Sequence, residues 1–360
     1  MAWECYKVLF QAKSPIHIGY GARLGFVNRT RYYIPAKNIW GALTSIIAKK
    51  RMKTYNPGIY EETGNVLKKD VRLSYFYIQN KGIPLLPKFT EKGVWYGDLS
   101  QEEFERRYIS SIALTALEKS TRSAEEGSIH EIEFIKLPAK FSGYFFINLE
   151  AKDFQFKAKE DELVFYFNNQ EVSLSSLQVG GEHIYGFGKI ELIGKPEIQG
   201  DPVNLFNQGS IKVDLGGEEP LISLKAGESY HVLAPLSIKD LQNKILRMEG
   251  DLEPLVGREW GERGAGQEIS EVKIISSPGT TFELSEEVVL GIKSHGIWEF
   301  VLSDHYRRFE KKYGMSWEEF ERKMKEGEIV PPKTDSLELY EWHSDTIEWE
   351  FYAKANREGA

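Results

Sequence analysis

Residues 178–192, QVGGEHIYGFGKIEL, place four glycines (Gly180, Gly181, Gly186, Gly188) close together, and an apolar, strand-like run follows at once. Glycine has no Cβ and tolerates positive φ, so such a loop bends sharply and admits the close approach of another backbone or a ligand. No Gly-Lys-Ser/Thr ends the run, so it is not a P-loop. A strand pattern stands where a helix should begin, which excludes a Rossmann fingerprint. Taken alone, the stretch reads as a Gly-rich connection between two strands.

The residues before it set its context. WECYKVLFQAK (3–13) reads as a strand. A Gly-rich loop carrying His17, Arg23, Arg29 and Arg31 follows, and Pro35 breaks a short strand at its end. Ile39, Leu43, Ile46 and Ile47 then recur at helical spacing, with Asn38 as N-cap and Lys49, Lys50 and Arg51 at the C-terminus. Residues 53–70 are polar, 71–79 read as a strand, and 80–100 as an extended loop. Ser100 and Glu103 fit a capping box for a helix running to about Leu117. Strands are expected over 129–135, 141–149, 163–167 and 189–193. The order resembles an elaborated ferredoxin-like module, an α+β fold related to RNA-recognition domains, spanning 1–200. Residues 201–360 read as a second, smaller α+β domain. It has an extended 229–235, a helix over 238–248, a Gly-rich hairpin near 257–266 and a helix over 316–325.

Charge divides along the same line. Residues 1–100 hold 16 Lys/Arg against 6 Asp/Glu, whereas 201–360 hold 19 against 31. A basic first part on an acidic body implies one polyanion-facing surface, or pairing between the two parts. With one cysteine, Cys5, no internal disulfide forms, and a reducing, cytoplasmic setting is expected. The N-terminus lacks a signal-peptide pattern, and no apolar run has the length of a membrane span. The Lys, Glu and Tyr content fits a thermophile.

Three stretches in register carry a family resemblance: SPIHIGYGARLG with RYYIPAKNIWGAL, then RRYISSIALTALEKSTRSAEEGSIHEIEFIKLPAKFSGYFFI, then VGGEHIYGFGKIEL. Together they resemble the RAMP superfamily of CRISPR effector subunits, especially the type III backbone-like and cap-like proteins, over roughly residues 5–195. The GREWGERGAG…SPGTTF run is similar to the closing half of two-domain members, so the second domain is expected to be a degenerate copy of the module. The resemblance implies guide (CRISPR) RNA, with target RNA, and other effector subunits as partners. It implies that Gly180, Gly181, Gly186 and Gly188 approach the RNA backbone, and that Lys37, Asn38 and Trp40 sit where the first helix meets the guide. His183, Tyr185 and Lys189 belong to the same surface. A Gly-rich loop and a helix N-terminus suit phosphates, and Tyr32, Tyr33 and Tyr185 suit base stacking. One departure matters. Target-cutting members carry an aspartate in the loop after the first strand. From Gly19 to Arg31 this chain has no Asp or Glu, and Asn28 is the nearest equivalent. An amide is neither a general base nor a carboxylate metal ligand, so a non-cutting, non-enzymatic role is expected.

Arg23, Arg29 and Arg31 read as a phosphate-contacting set or as a solvated loop, and Lys49 and Lys50 as RNA contacts or as a helix terminus. His17, with His183 and Tyr185, is the candidate set for an alternative, metal-independent cleavage of guide RNA. A protein-only scaffold is the third reading. Arg258 and Arg263 read as a guide-end or subunit contact, or as an ordinary hairpin. His295, His305 and His343 lack zinc spacing, and no metal or cofactor is expected. The acidic, Trp-rich tail (Glu338, Glu341, Asp345, Glu348, Glu350, Trp342, Trp349) reads as solvated or partner-facing.

Overall fold

In the computed structural model, the alternating run Trp3–Ala12 forms one strand, β1, with Val8 and Phe10 buried. The structure describes residues 2–20, 26–54, 56–116, 120, 123, 127–168, 170–238, 241, 244–256, 258–261, 264–269, 272–301, 312–315, 317–329, 342, 345–347 and 349–350; for 258–261, 264–269 and 318 only the backbone is described. β1 is central to a mixed α/β architecture of many strands and few helices. It pairs antiparallel with Lys140–Asn148 on one side and Lys189–Leu192 on the other. Lys140–Asn148 pairs in turn with Phe76–Asn80. The sheet therefore reads Lys189–Leu192, β1, Lys140–Asn148, Phe76–Asn80.

Side chains alternate across this sheet, so its two faces have separate fates. Phe10, Phe76 and Phe145 pack on one face, with ring centroids 5.6 and 6.0 Å apart. Helix α1, Ala36–Arg51, buries Ile39, Leu43 and Ile47, and packs against α2, Gly58–Asp70. A three-stranded meander, Phe154–Lys159, Glu162–Phe167 and Gln170–Leu174, follows the central strand and also touches α1. The other face carries Lys7, Leu9, Tyr77, Ser142 and Tyr144. Its rings are covered by the second half. The Tyr77 hydroxyl donates to Leu233 O at 2.7 Å, Tyr144 Oη accepts from Phe206 N at 3.0 Å, and the Trp3 indole donates to Glu218 O at 3.0 Å.

Several local expectations are corrected. Pro35, not Asn38, is the N-cap of α1, because fixed proline geometry suits a helix start and places Asn38 inside the first turn. The Ser100–Glu103 capping box is present, but the helix it starts, α3, spans only Gln101–Tyr108, and Ile109–Leu114 is a strand paired with His130–Ile135. Cross-strand pairing there overrides the helical reading. Residues 87–100 are not loop but a small sheet of Pro87–Thr90, Gly93–Tyr96 and Leu99–Ser100, whose glycines make its turns. Ile245–Glu249 is a strand against Thr281–Leu284, not a helix. Arg258–Gly261 pairs antiparallel with Gly264–Ile269 where a Gly-rich hairpin is expected, and the helix Trp317–Lys325 stands where the sequence places it.

Packing runs continuously across residue 200: Trp3, Phe141, Val213, Leu236 and Trp298 share one apolar core. Trp317, Phe320 and Trp349 form a second cluster. Beside it, buried Asp345 accepts from the Tyr313 hydroxyl at 2.9 Å and pairs with Lys312. Trp349 and Asp345 are thus packed rather than solvated, whereas Glu338, Glu341 and Glu348 lie outside the described residues.

His295 closes onto α1, its ring edge-on to Trp40 at 4.9 Å, and its Nδ1 is buried without a partner. Burial, with Lys37, Lys68 and Arg72 nearby, lowers its pKa to about 4. The unfolded chain takes up this proton near its ordinary value of 6.5, and the folded chain resists it. Stability contributed by the neutral ring is therefore complete above about pH 6.5 and lost as pH falls toward 4, by about 2–3 kcal/mol. Denaturant titration of wild type and His295→Gln across that window should give a shallower acid slope for the variant. Equal slopes would reject His295 as the source.

Candidate nucleic-acid interface

The three sequence stretches meet at one place. Strand Ser176–Gln178 leads into the Gly-rich loop, which closes through Val179 N to Gly188 O at 2.9 Å. The loop then docks on the segment after β1. Gly188 N donates to Pro15 O at 2.8 Å, Gly181 N to His17 O at 2.9 Å, and Lys189 N to Ser14 Oγ at 2.9 Å. Gly180 and Gly188 have φ of +79° and +90°, and a Cβ at either would stand 2.1 Å from a carbonyl oxygen, His17 O or Val179 O. These glycines serve backbone-to-backbone approach inside the protein. The N–H groups of Gly181 and Gly188 are spent there, which corrects the expectation that they face phosphates.

The second stretch clamps the same segment. The Glu133 carboxylate accepts from Thr30 N at 2.8 Å, and its carbonyl lies 2.7 Å from His17 Nδ1. Since a carbonyl only accepts, Nδ1 carries a hydrogen, and in the neutral ring Nε2 is then the acceptor. Ile16 and Ile135 exchange backbone bonds of 2.8 and 3.0 Å. Glu133 was not singled out in the sequence, because one acid in an alternating strand reads as a solvent-facing residue.

What the assembly presents outward is the loop tip, the single 3-10 turn His183–Tyr185. Ile184 is 97% exposed and Tyr185 58%, with His183 and Gly186 also exposed, while Phe187 packs edge-on to Phe134 at 5.3 Å. Lys189 and Lys13 flank the tip and share Glu191 at 2.9 and 3.4 Å, which hold its carboxyl below its ordinary pKa. His17 itself is only 7% exposed, so the three members of the proposed cleavage set differ in access.

The other candidates are placed as follows. Arg23 lies outside the described residues, as do Arg263, His305 and His343, and Arg258 is described in its backbone alone. Arg29 is exposed, and a hydrogen bond to Tyr32 raises its pKa. Arg31 pairs with Glu253 at 2.7 Å, with side-chain exposures of 16% and 14%, bonds Tyr33 Oη at 3.1 Å and stacks 4.5 Å over Tyr20. Burial alone would lower its pKa, but Tyr33 and Glu253 outweigh that and raise it. Its charge is matched internally by Glu253. Tyr32 and Tyr33 are buried, Tyr32 against Phe104 and Tyr96, so of the three tyrosines only Tyr185 is open to a base. Trp40 donates to Gly64 O at 3.3 Å within the helix pair. Lys37 and Asn38 are half-buried at the start of α1. Lys49 and Lys50 are exposed at its far end, where Lys50 Nζ holds Ser173 O at 2.7 Å. Among the described residues, no group of three or more His, Cys, Asp or Glu is placed to hold a metal ion, and no helix is long and apolar enough to cross a membrane.

No family model matches the chain, and no curated protein matches it. Among solved structures, it is similar to a chain of the type III-B Cmr-beta complex bound to cognate target RNA and AMPPnP, at 12% identity and a TM-score of 0.42, covering 77% of this chain and 85% of that one. A chain of the same complex bound to cognate target RNA gives 13% identity and 0.41, over 77% and 86%. A chain of its apo state gives 10% and 0.34, over 53% and 96%.

Proposed function

We propose that this chain is a guide-RNA-binding structural subunit of a type III CRISPR interference ribonucleoprotein, and that its first part does not cut target RNA. The observation that carries the reading is the convergence of three separate motif stretches, through Pro15 and His17, Glu133, and Gly180–Lys189, on one exposed tip. The sheet order Lys189–Leu192, β1, Lys140–Asn148, Phe76–Asn80 supports a ferredoxin-like RAMP module, with the 154–174 meander standing where a second crossover helix is expected. Non-cutting is supported by the lack of any acid from Gly19 to Arg31. Two carboxylates that reach this loop from elsewhere are engaged, Glu133 by Thr30 N and Glu253 by Arg31. In this reading the acidic second half docks neighbouring subunits in the cytoplasm.

The test is RNA retention by the natively purified protein, followed by titration of single-stranded RNA against His183→Ala/Tyr185→Ala. Stacking contributes about 1–3 kcal/mol per base, so the double variant should lose about tenfold or more in affinity. Unchanged affinity would move the RNA elsewhere on the chain. A second reading has one observation behind it: His17 Nε2 is left as an acceptor, as a general base for a 2′-hydroxyl must be. Under that reading the same RNA is cleaved in EDTA, and His17→Ala abolishes cleavage.

A further inference from the structure

The sheet face opposite the aromatic core is only partly covered. Where the second half stops, a groove of about 610 Å³ opens over β1 and the strands beside it. Four lysines line it: Lys7 from β1, Lys140 from the central strand, Lys81 from the turn after Phe76–Asn80, and Lys195 beyond Lys189–Leu192. Glu197 is the one acid among the lining residues. None of the four lysines enters an ion pair among the described residues. The floor holds Leu9, Gln79 and Ser142, and the Ser142 hydroxyl is buried (the residue is 1% exposed) without a hydrogen-bond partner.

We propose that this groove is a second nucleic-acid contact, a track for the sugar–phosphate backbone of single-stranded RNA that reads no bases. Three observations carry it. Four lysines face a single acid, Glu197, which stands opposite Lys7 in the strand register, so the groove keeps an excess of point charges, the form of cation that holds phosphate without fixing a planar partner. Lys7 and Lys140 stand at opposite ends of the floor: Lys7 pairs with Tyr144, and Lys140 with Gln11. That offset of four residues is about 13 Å of strand, room for more than one phosphate. The rings of this face, Tyr77 and Tyr144, are buried, so it offers no stacking platform of the kind that RNA-recognition sheets use. The half-buried Gln79 amide is the neutral polar group of the floor left to meet ribose or phosphate oxygens, with the Ser142 hydroxyl buried beneath the surface. The groove and the loop tip lie at opposite ends of the Lys189–Leu192 strand, so one strand of RNA can engage both.

The inference rests on the RNA-binding reading above, and the experiment separates the two. Single-stranded U and A homopolymers of equal length are titrated at several salt concentrations with three full-length proteins: wild type, Lys7→Gln/Lys140→Gln/Lys195→Gln, and the matching triple Lys→Arg variant. The glutamine variant should bind both polymers about tenfold more weakly, and its log K against log salt slope should be shallower by about 2, since three phosphate contacts are lost. The arginine variant should match wild type, which also controls for folding. A glutamine variant with wild-type affinity and slope overturns the groove while leaving the loop tip as the RNA site. Wild type that binds neither polymer at low salt overturns the RNA reading itself. A polyglutamate peptide whose binding needs the three lysines, beside RNA binding that does not, makes the occupant an acidic protein segment and overturns the proposal.

Discussion

Gly180→Ala is expected to destabilise the chain by about 3–5 kcal/mol and to release the Gly-rich loop from the segment after β1. Two costs combine. A left-handed residue with a Cβ is strained by about 1–2 kcal/mol, and forcing a carbon to 2.1 Å from His17 O displaces backbone rather than a flexible side chain. Gly186→Ala is the matched control: its φ is +81°, but nothing stands within 4 Å of a Cβ there, so only the conformational cost of about 1 kcal/mol applies. Denaturant melts of both variants decide it. Equal losses would mean that the loop does not dock on His17 O, and the assembled tip would fall with that contact.

The Arg31–Glu253 pair yields the second large effect. Glu253→Ala leaves a guanidinium with little solvent and no counter-charge, a change that commonly costs about 3–5 kcal/mol at buried sites. Here Tyr33 Oη and the Tyr20 ring remain as partners, so about 2–4 kcal/mol is expected. Arg31→Met/Glu253→Leu should recover most of the loss, because an apolar pair carries no desolvation cost. A Glu253→Ala protein within about 0.5 kcal/mol of wild type would show that the pair does not form in solution.

These two sites also show where the sequence was legible. β1, α1 and the helix at Trp317 were readable because each repeats its apolar residues with the period of the element it forms. The capping box before α3 was readable because it is local chemistry. The extent of α3 was not, since the strand after it is fixed by partners at His130–Ile135. The small sheet over 87–100 was hidden by its own turn glycines. In the site, the three motif stretches were visible, but their joining residue Glu133 reads as a solvent-facing acid of an alternating strand, and it meets His17 through a backbone carbonyl, which any residue would carry. Arg31 read as a free cation because its partner lies in the other half of the chain. The groove lysines sit one to a segment, at 7, 81, 140 and 195, and only pairing of the strands makes them a set.

The way the tip is held has a consequence for the timing of synthesis. His17 meets Glu133 across 116 residues, and Ser14 meets Lys189 across 175. At roughly 5–20 residues per second, the N-terminal segment waits about 9–35 s on the ribosome before its last partner exists. During that interval the chain has its basic residues but not the surface that arranges them. The first 100 residues carry 16 Lys/Arg against 6 Asp/Glu, so the early chain is a polycation without a shape, and it gains one only once Lys189 has been made.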